Sequence, residues 1–224
     1  MRWYLTAELN AGAKYVYMKR LNLLKKYPHY YSSKEAPELI EVEKAKFISI
    51  HAKGSFTDKI FYNRIAALTH TVHAVKELFE NSDQAFDVSV LEGLYWYDEQ
   101  KYGAIGISRI YDTFPLSELE YRLMIRIPEY ITLKDILKAK KAVAPAYKAL
   151  SANAEFFELN EGKCAQMLHV GPFAYEVETL REVESFVEKK HLIKNGFHHE
   201  IYLVDFSKVD SQDGLGTILR EPVK

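Results

Sequence analysis

The most evident chemistry in this chain sits on one short apolar stretch, His198-His199-Glu200-Ile201-Tyr202-Leu203. Read as a strand, it sends His198, Glu200 and Tyr202 to one face and His199, Ile201 and Leu203 to the other. A carboxylate in the middle of such a run is costly to bury without compensation. Among rings its pKa rises toward the range of a general acid or base, whereas on a solvated sheet face it stays ordinary. A second run, Leu91-Glu92-Gly93-Leu94-Tyr95-Trp96, puts Glu92, Leu94 and Trp96 on one face. Either glutamate could instead pair with Arg126 or Arg220 across strands as a structural salt bridge.

Other reactive residue types suggest less. His198 and His199 alternate faces, so with Glu200 they make no compact metal set, and His70 with His73 supplies only two ligands on a helix. His169 beside Gly171-Pro172 reads as a hydrogen-bonded residue at a strand end. Cys164 is the only cysteine; it reads as a small core residue and excludes a disulfide framework or a multi-cysteine cluster. Neither a Gly-rich phosphate loop nor Gly-Xaa-Ser-Xaa-Gly occurs, so no metal or cofactor is expected.

The elements that must position these residues follow from periodicity. Tyr15, Met18, Leu21 and Lys25 suggest a helix from about 9 to 26, ending before Pro28. Lys46 to His51 reads as a strand and Lys53-Gly54-Ser55 as a break. Asp58 is a candidate N-cap for a helix whose stripe is Phe61, Ile65, Leu68, Val72, Val75 and Phe79. Strands are expected over Phe86 to Trp96 and Arg122 to Ile127, then a helix from a Thr132/Asp135 capping box to about Lys141. Lys163 to Val170 repeats the strand, Gly171-Pro172 the break, and Glu176 to Lys190 the helix, with Val177, Leu180, Val183 and Val187 inward. Acidic residues in the first turn of that helix and lysines in its last complement its dipole. Strands over His198 to Val204 and Thr217 to Arg220 complete the series.

The second half matches the first residue by residue. At a separation of 117, Glu41 pairs with Glu158, Lys46 with Lys163, Gly54 with Gly171, Phe56 with Phe173 and Arg64 with Arg181. Ile125-Arg126-Ile127-Pro128 aligns with Leu219-Arg220-Glu221-Pro222 at 94, and Glu92 with Glu200 at 108. The expected fold is α+β, built of tandem duplicated strand-helix-strand-strand modules with pseudo-twofold symmetry around a central ligand cleft. Residues 1–36 form an N-terminal helical segment in this reading, and residues 37–224 the binding domain, with repeats over about 37–142 and 155–224. Glu92 and Glu200 would face the shared cleft.

Composition bounds what such a cleft could serve. At 224 residues and 48% hydrophobic, the chain buries a substantial core without staples. Thirty basic against 31 acidic residues give no electrostatic footprint for nucleic acid or an anionic membrane. Arg2, Glu8, Asn10, Lys14, Lys19 and Arg20 interrupt the start of the chain, so no signal peptide or membrane span is expected, and a soluble, cytoplasmic protein is. Sixteen tyrosines and 12 phenylalanines suit either a dense core or a ring-lined cleft.

These residues together carry a resemblance. Leu91 to Trp96, Met124 to Pro128, Cys164-Ala165-Gln166 with His169 to Phe173, His198 to Leu203 and Thr217 to Arg220 resemble, in order, the GyrI-like small-molecule-binding family. The likeness runs from about Tyr31 to Val223 and is greatest to the stand-alone branch without a DNA-binding domain. It implies a cleft that binds amphipathic, often cationic compounds. In some stand-alone members it implies cyclopropanoid hydrolysis, the opening of a strained ring by water. Carried over by motif, Glu200 and Tyr202 are the implied catalytic residues, and Trp96, Glu92 and Tyr95 the implied ligand-binding ones. Two tryptophans are frequent in the family where Tyr95-Trp96 stands, and a tyrosine where Phe173 stands, which puts ligand choice in doubt. In the implied mechanism Glu200 activates water, Tyr202 donates a hydrogen bond to the developing oxyanion, and Trp96 stacks on the ligand. A small hydrophobic or cationic ligand is the expected partner. The alternatives are a sensor or sequestering protein, and a protein-interaction module such as a gyrase inhibitor.

Overall fold

The computed structural model describes residues 20–224, except for the side chains of Tyr111 and Asp112. Eight strands form one antiparallel sheet that curls into a half-barrel. They are β1 (Glu38–Val42), β2 (Ala45–Lys53), β3 (Leu91–Trp96), β4 (Glu120–Arg126), β5 (Glu155–Leu159), β6 (Gly162–Val170), β7 (His198–Tyr202) and β8 (Gly216–Pro222). The helices are α1 (Leu23–Lys26), α2 (Lys59–Glu77), α3 (Glu99–Tyr102), α4 (Ile110–Thr113), α5 (Leu133–Ala142), α6 (Pro145–Ser151) and α7 (Glu176–Lys189). Among the described residues no helix is long and apolar enough to cross a membrane.

The strand order is β1-β6-β8-β7-β3-β4-β2-β5. Read from either edge it is the same arrangement: a leading strand, then the three strands of one module, meeting the other module at the β3–β7 pair. Each leading strand has crossed over, since β1 precedes β2 in sequence but pairs with β6, while β5 precedes β6 and pairs with β2. The halves therefore cannot part without breaking three ladders. A duplication would give this order, and so would independent packing of two similar units.

Two long helices cover one face of the sheet. α2 lies on β2 and β4, burying Phe61, Leu68, Val72 and Val75 of the expected stripe; Ile65 is half-buried, and Phe79 follows the helix end. α7 lies on β6 and β8 through Leu180 and Val183, with Val177 and Val187 half-buried. The Thr132/Asp135 capping box forms as the sequence implies. Asp58 occupies the N-cap of α2 without a capping hydrogen bond from its side chain.

Residues 20–36 lie across the opposite face, where Leu23, Tyr30 and Tyr31 join Phe47, Leu94, Met124 and Ile201 in a second core. The helix expected over 9–26 has its first half outside the described residues; within them only α1 is helical, capped by Asn22. β1 and β5 are additional to the sequence reading. The strand expected from Phe86 begins only at Leu91, because Phe86 and its neighbours turn to meet Leu21.

Candidate functional site

Between α2, α7 and the sheet lies a cavity of about 420 Å³ whose walls combine rings with aliphatic side chains. The strands supply Tyr95, His198, Glu200 and Tyr202; the α2 side adds Phe56, Phe61 and Tyr62; the α7 side adds Phe173, Glu176 and Phe206. Phe173, Tyr202 and Phe206 meet edge to face, with centroids 5.2–6.0 Å apart, which fixes one wall. The Gly171-Pro172 turn ahead of Phe173 is held from within the fold: His169 contacts Thr179 Oγ1 at 2.9 Å and the Pro172 carbonyl at 3.1 Å.

The floor of this cavity is a continuous polar network. Strand alternation places His198, Glu200 and Tyr202 together, as read from sequence, and all three are buried. Tyr202 donates its hydroxyl hydrogen to Glu200 Oε2, and Tyr95 then donates to the Tyr202 oxygen across 2.6 Å. His198 sits 3.2 Å from Glu200 Oε1 through Nε2 and 2.5 Å from Glu221 Oε1 through Nδ1. Burial opposes its charged form, but Glu221 and Glu200 outweigh burial and hold its pKa up at about 10. At neutral pH His198 is therefore an imidazolium and no general base. Burial, and after it the Glu200 charge, keeps both Tyr95 and Tyr202 protonated.

Gly93 makes this arrangement possible. It stands opposite Glu200 in the β3–β7 ladder, and the Tyr95 ring folds back over it. A Cβ at Gly93 would lie 2.8 Å from the Tyr95 hydroxyl, so any side chain there would displace Tyr95 from Tyr202.

Glu176 is the residue that sequence reasoning passed over. It is the first residue of α7, only 2% exposed, and it lines the cavity. Its Oε1 has no hydrogen-bond partner among the described residues. Burial raises its pKa well above the usual carboxyl value and Glu200 raises it further, so Glu176 is a neutral acid facing a carboxylate. Its helix-start position offered a signal, but there it reads as a residue complementing the helix dipole.

Glu92 and Trp96 stand on the other face of the sheet. Glu92 pairs with Ile201 in the β3–β7 ladder and Gly93 with Glu200, so the two glutamates point in opposite directions. The expected meeting of Glu92 with Glu200 in one cleft is corrected accordingly. Fully buried, Glu92 accepts from Tyr30 at 2.5 Å, from Tyr31 at 3.4 Å and from His199 at 3.0 Å. His199 continues to Glu161 at 3.0 Å, and Glu161 pairs with Arg220 at 3.3 Å. Burial opposes the charged His199, but Glu161 and Glu92 raise its pKa; burial likewise opposes the charged Glu161, which His199 and Arg220 lower. The alternative pairing of Glu92 with Arg220 does not form, since Arg220 goes to Glu161 and Glu92 to His199. Trp96 is stacked between Phe197, 4.4 Å away, and His51, 5.2 Å away, outside the cavity lining.

An α+β fold with a curled antiparallel sheet and an aromatic-lined cavity over a polar floor is the form of a small-molecule-binding domain. The chain belongs to the GyrI-like small molecule binding domain family, whose sequence model matches residues 35–216. No curated protein matches the sequence. Among solved structures, an uncharacterized conserved protein from Listeria innocua superposes with a TM-score of 0.79 at 26% identity, over 92% of this chain and 100% of that one. A second Listeria innocua protein, described as a hydrolase, superposes with a TM-score of 0.75 at 26% identity over the same shares. The C-terminal domain of EcmrR, at 11% identity and a TM-score of 0.54 over 84% of this chain and 96% of that domain, shares the fold.

Proposed function

We propose that the protein binds compact aromatic or hydrophobic compounds, cationic or electrophilic, in the helix-face cavity and hydrolyses reactive ones there, cyclopropanoids in particular. The observation that carries this reading is the pairing of a neutral Glu176 with the Glu200 carboxylate under aromatic walls. One group is ready to give a proton and the other to take one, the division of labour that acid and base catalysis requires. The hydrolase description of a Listeria relative at 26% identity points the same way.

For a cyclopropane fused to a cyclohexadienone, Glu200 removes a proton from water as the water oxygen attacks the ring methylene. The strained carbon–carbon bond breaks, and its electron pair moves through the ring to the carbonyl oxygen. Glu176 protonates that oxygen to give a phenol. The proton left on Glu200 returns through solvent to Glu176, so the two carboxyl groups are restored. His198 and Tyr202 hold Glu200 in place. The sequence reading has Tyr202 donate to the oxyanion; its hydrogen is directed at Glu200, so the donation falls to Glu176. Tyr95 orients Tyr202, and the rings exclude bulk water.

The aromatic walls and the carboxyl groups among them also favour binding without turnover, as in a sensor or sequestering protein for aromatic cations. A spirocyclopropyl cyclohexadienone tests the difference by loss of its dienone absorbance. Wild type turns it over, and Glu200→Gln and Glu176→Gln each slow it by about a hundredfold or more. Ethidium that binds while the dienone persists unchanged would remove the hydrolase reading and leave the binding one.

A further inference from the structure

The sheet face opposite the cavity holds a buried cation that no described residue neutralises. Arg126, at the end of β4, is 3% exposed. Its guanidinium lies 3.9 Å from the Tyr27 ring centre and 4.7 Å from that of Tyr30. Among the described residues its Nε has no hydrogen-bond partner, and no carboxylate stands within ion-pair distance.

The contrast with Arg220 is direct. Arg220, on β8, lies over the same Tyr30 ring at 4.5 Å. It is matched by Glu161 at 3.3 Å, by Gln166 Oε1 at 3.0 Å and by the Tyr30 carbonyl at 2.8 Å. Glu92 and Glu161, the carboxylates of this core, are already engaged by His199 and Arg220. Arg126 therefore has no carboxylate of this core as its own partner. Ring faces stabilise a cation in part, but they do not replace the anion that a desolvated guanidinium requires.

Arg126 also lines a second cavity, of about 490 Å³, between the 26–30 segment and β1. Ile40 and Val42 give it an apolar wall, and exposed Lys26, His29, Glu41 and Glu43 line it as well. We propose that this cavity binds a small organic monocarboxylate, with Arg126 as the partner of the carboxylate group. A planar guanidinium suits a carboxylate, the apolar wall takes a compact hydrocarbon body, and the two glutamates disfavour a more highly charged anion. The site is on the other face from Glu200 and stands independently of the function proposed above.

Calorimetric titration of the full chain with benzoate, inorganic phosphate and benzyl alcohol tests it. Benzoate binds saturably and raises the thermal midpoint, while phosphate and benzyl alcohol do neither. Arg126→Met weakens benzoate at least about tenfold, and its own midpoint without ligand is no lower than that of wild type, because an uncompensated buried charge has gone. Lys26→Glu, an exposed change that leaves the core intact, weakens benzoate about threefold or more. Absence of saturable benzoate binding to wild type, phosphate binding as tight as benzoate, or unchanged benzoate affinity in both variants would overturn the proposal.

Discussion

Glu92→Gln separates the two faces of the sheet. The side chain keeps its shape and loses its charge. Glu92 accepts hydrogen bonds from Tyr30, Tyr31 and His199 in a site with no solvent contact. A glutamine offers one acceptor oxygen and a donor amide, so at least one of the three bonds is lost and those retained no longer run to a charged acceptor. With charged hydrogen bonds worth about 1.5–3 kcal/mol each, the expected loss of stability is about 2–4 kcal/mol. For a chain of this size that lowers the thermal midpoint by about 5–15 °C. Urea titration gives the first number and ethidium fluorescence the affinity of the helix-face cavity, which should stay within about twofold of wild type. Glu200→Gln should do the reverse, weakening ethidium about tenfold or more with a smaller change in stability. If Glu92→Gln weakens ethidium as Glu200→Gln does while the urea midpoint holds, the assignment of Glu92 to the structural face is wrong.

Stability should fall on the alkaline side. His198 has a folded pKa near 10, so its contribution is complete below its unfolded value of about 6.5 and is lost as pH rises toward 10. His199 and Glu176, both raised, act in the same direction, and Glu161, lowered, removes stability at the acid end. The urea midpoint should be lower at pH 10 than at pH 6, and equal midpoints would contradict the buried imidazolium. Gly171 has φ +125° with nothing within 4 Å of where a methyl group would stand, so Gly171→Ala costs about 1–3 kcal/mol from backbone strain alone, read from the same urea curves. Thr132→Ala removes the capping box of α5 and costs about 1 kcal/mol; no change would mean that the cap is redundant.

The sequence made the elements of the sheet's middle legible, because their periodicities are strong and their breaks fall at Gly54 and Gly171, both at positive φ. It also made the grouping of His198, Glu200 and Tyr202 legible, since alternation along one strand is a local property. Partnership across strands was not, and a single residue decided it. Aligning Glu92 with Glu200 at 108 puts them in equivalent places, but the antiparallel β3–β7 ladder sets Glu92 opposite Ile201 and Gly93 opposite Glu200, so Glu92 shares a face with His199 and Tyr95 with Tyr202. A slip of one residue exchanges the faces of a strand, so the shared cleft of two glutamates becomes two separate networks. Glu176 was illegible for a related reason. Nothing in the order of residues says that the start of α7 overhangs β7.

One strand serves both networks, and this links the stability of the fold to the chemistry proposed for it. β7 sends His199 into the Glu92–Glu161–Arg220 network on one face and His198, Glu200 and Tyr202 into the cavity on the other. The inner network is balanced in charge and fully enclosed, so it can fix the position and tilt of β7 without responding to solvent. The cavity network on the same strand carries Glu200, with Glu176, its pKa raised by burial and by Glu200, set against it. A strand pinned from behind by ion pairs can present a charged carboxylate to a ligand without reorganising when that ligand arrives, which is the preorganisation that electrostatic catalysis needs. Loosening the back of β7 should therefore weaken function through position, leaving the titration of His198, which depends on Glu221 and Glu200, in place.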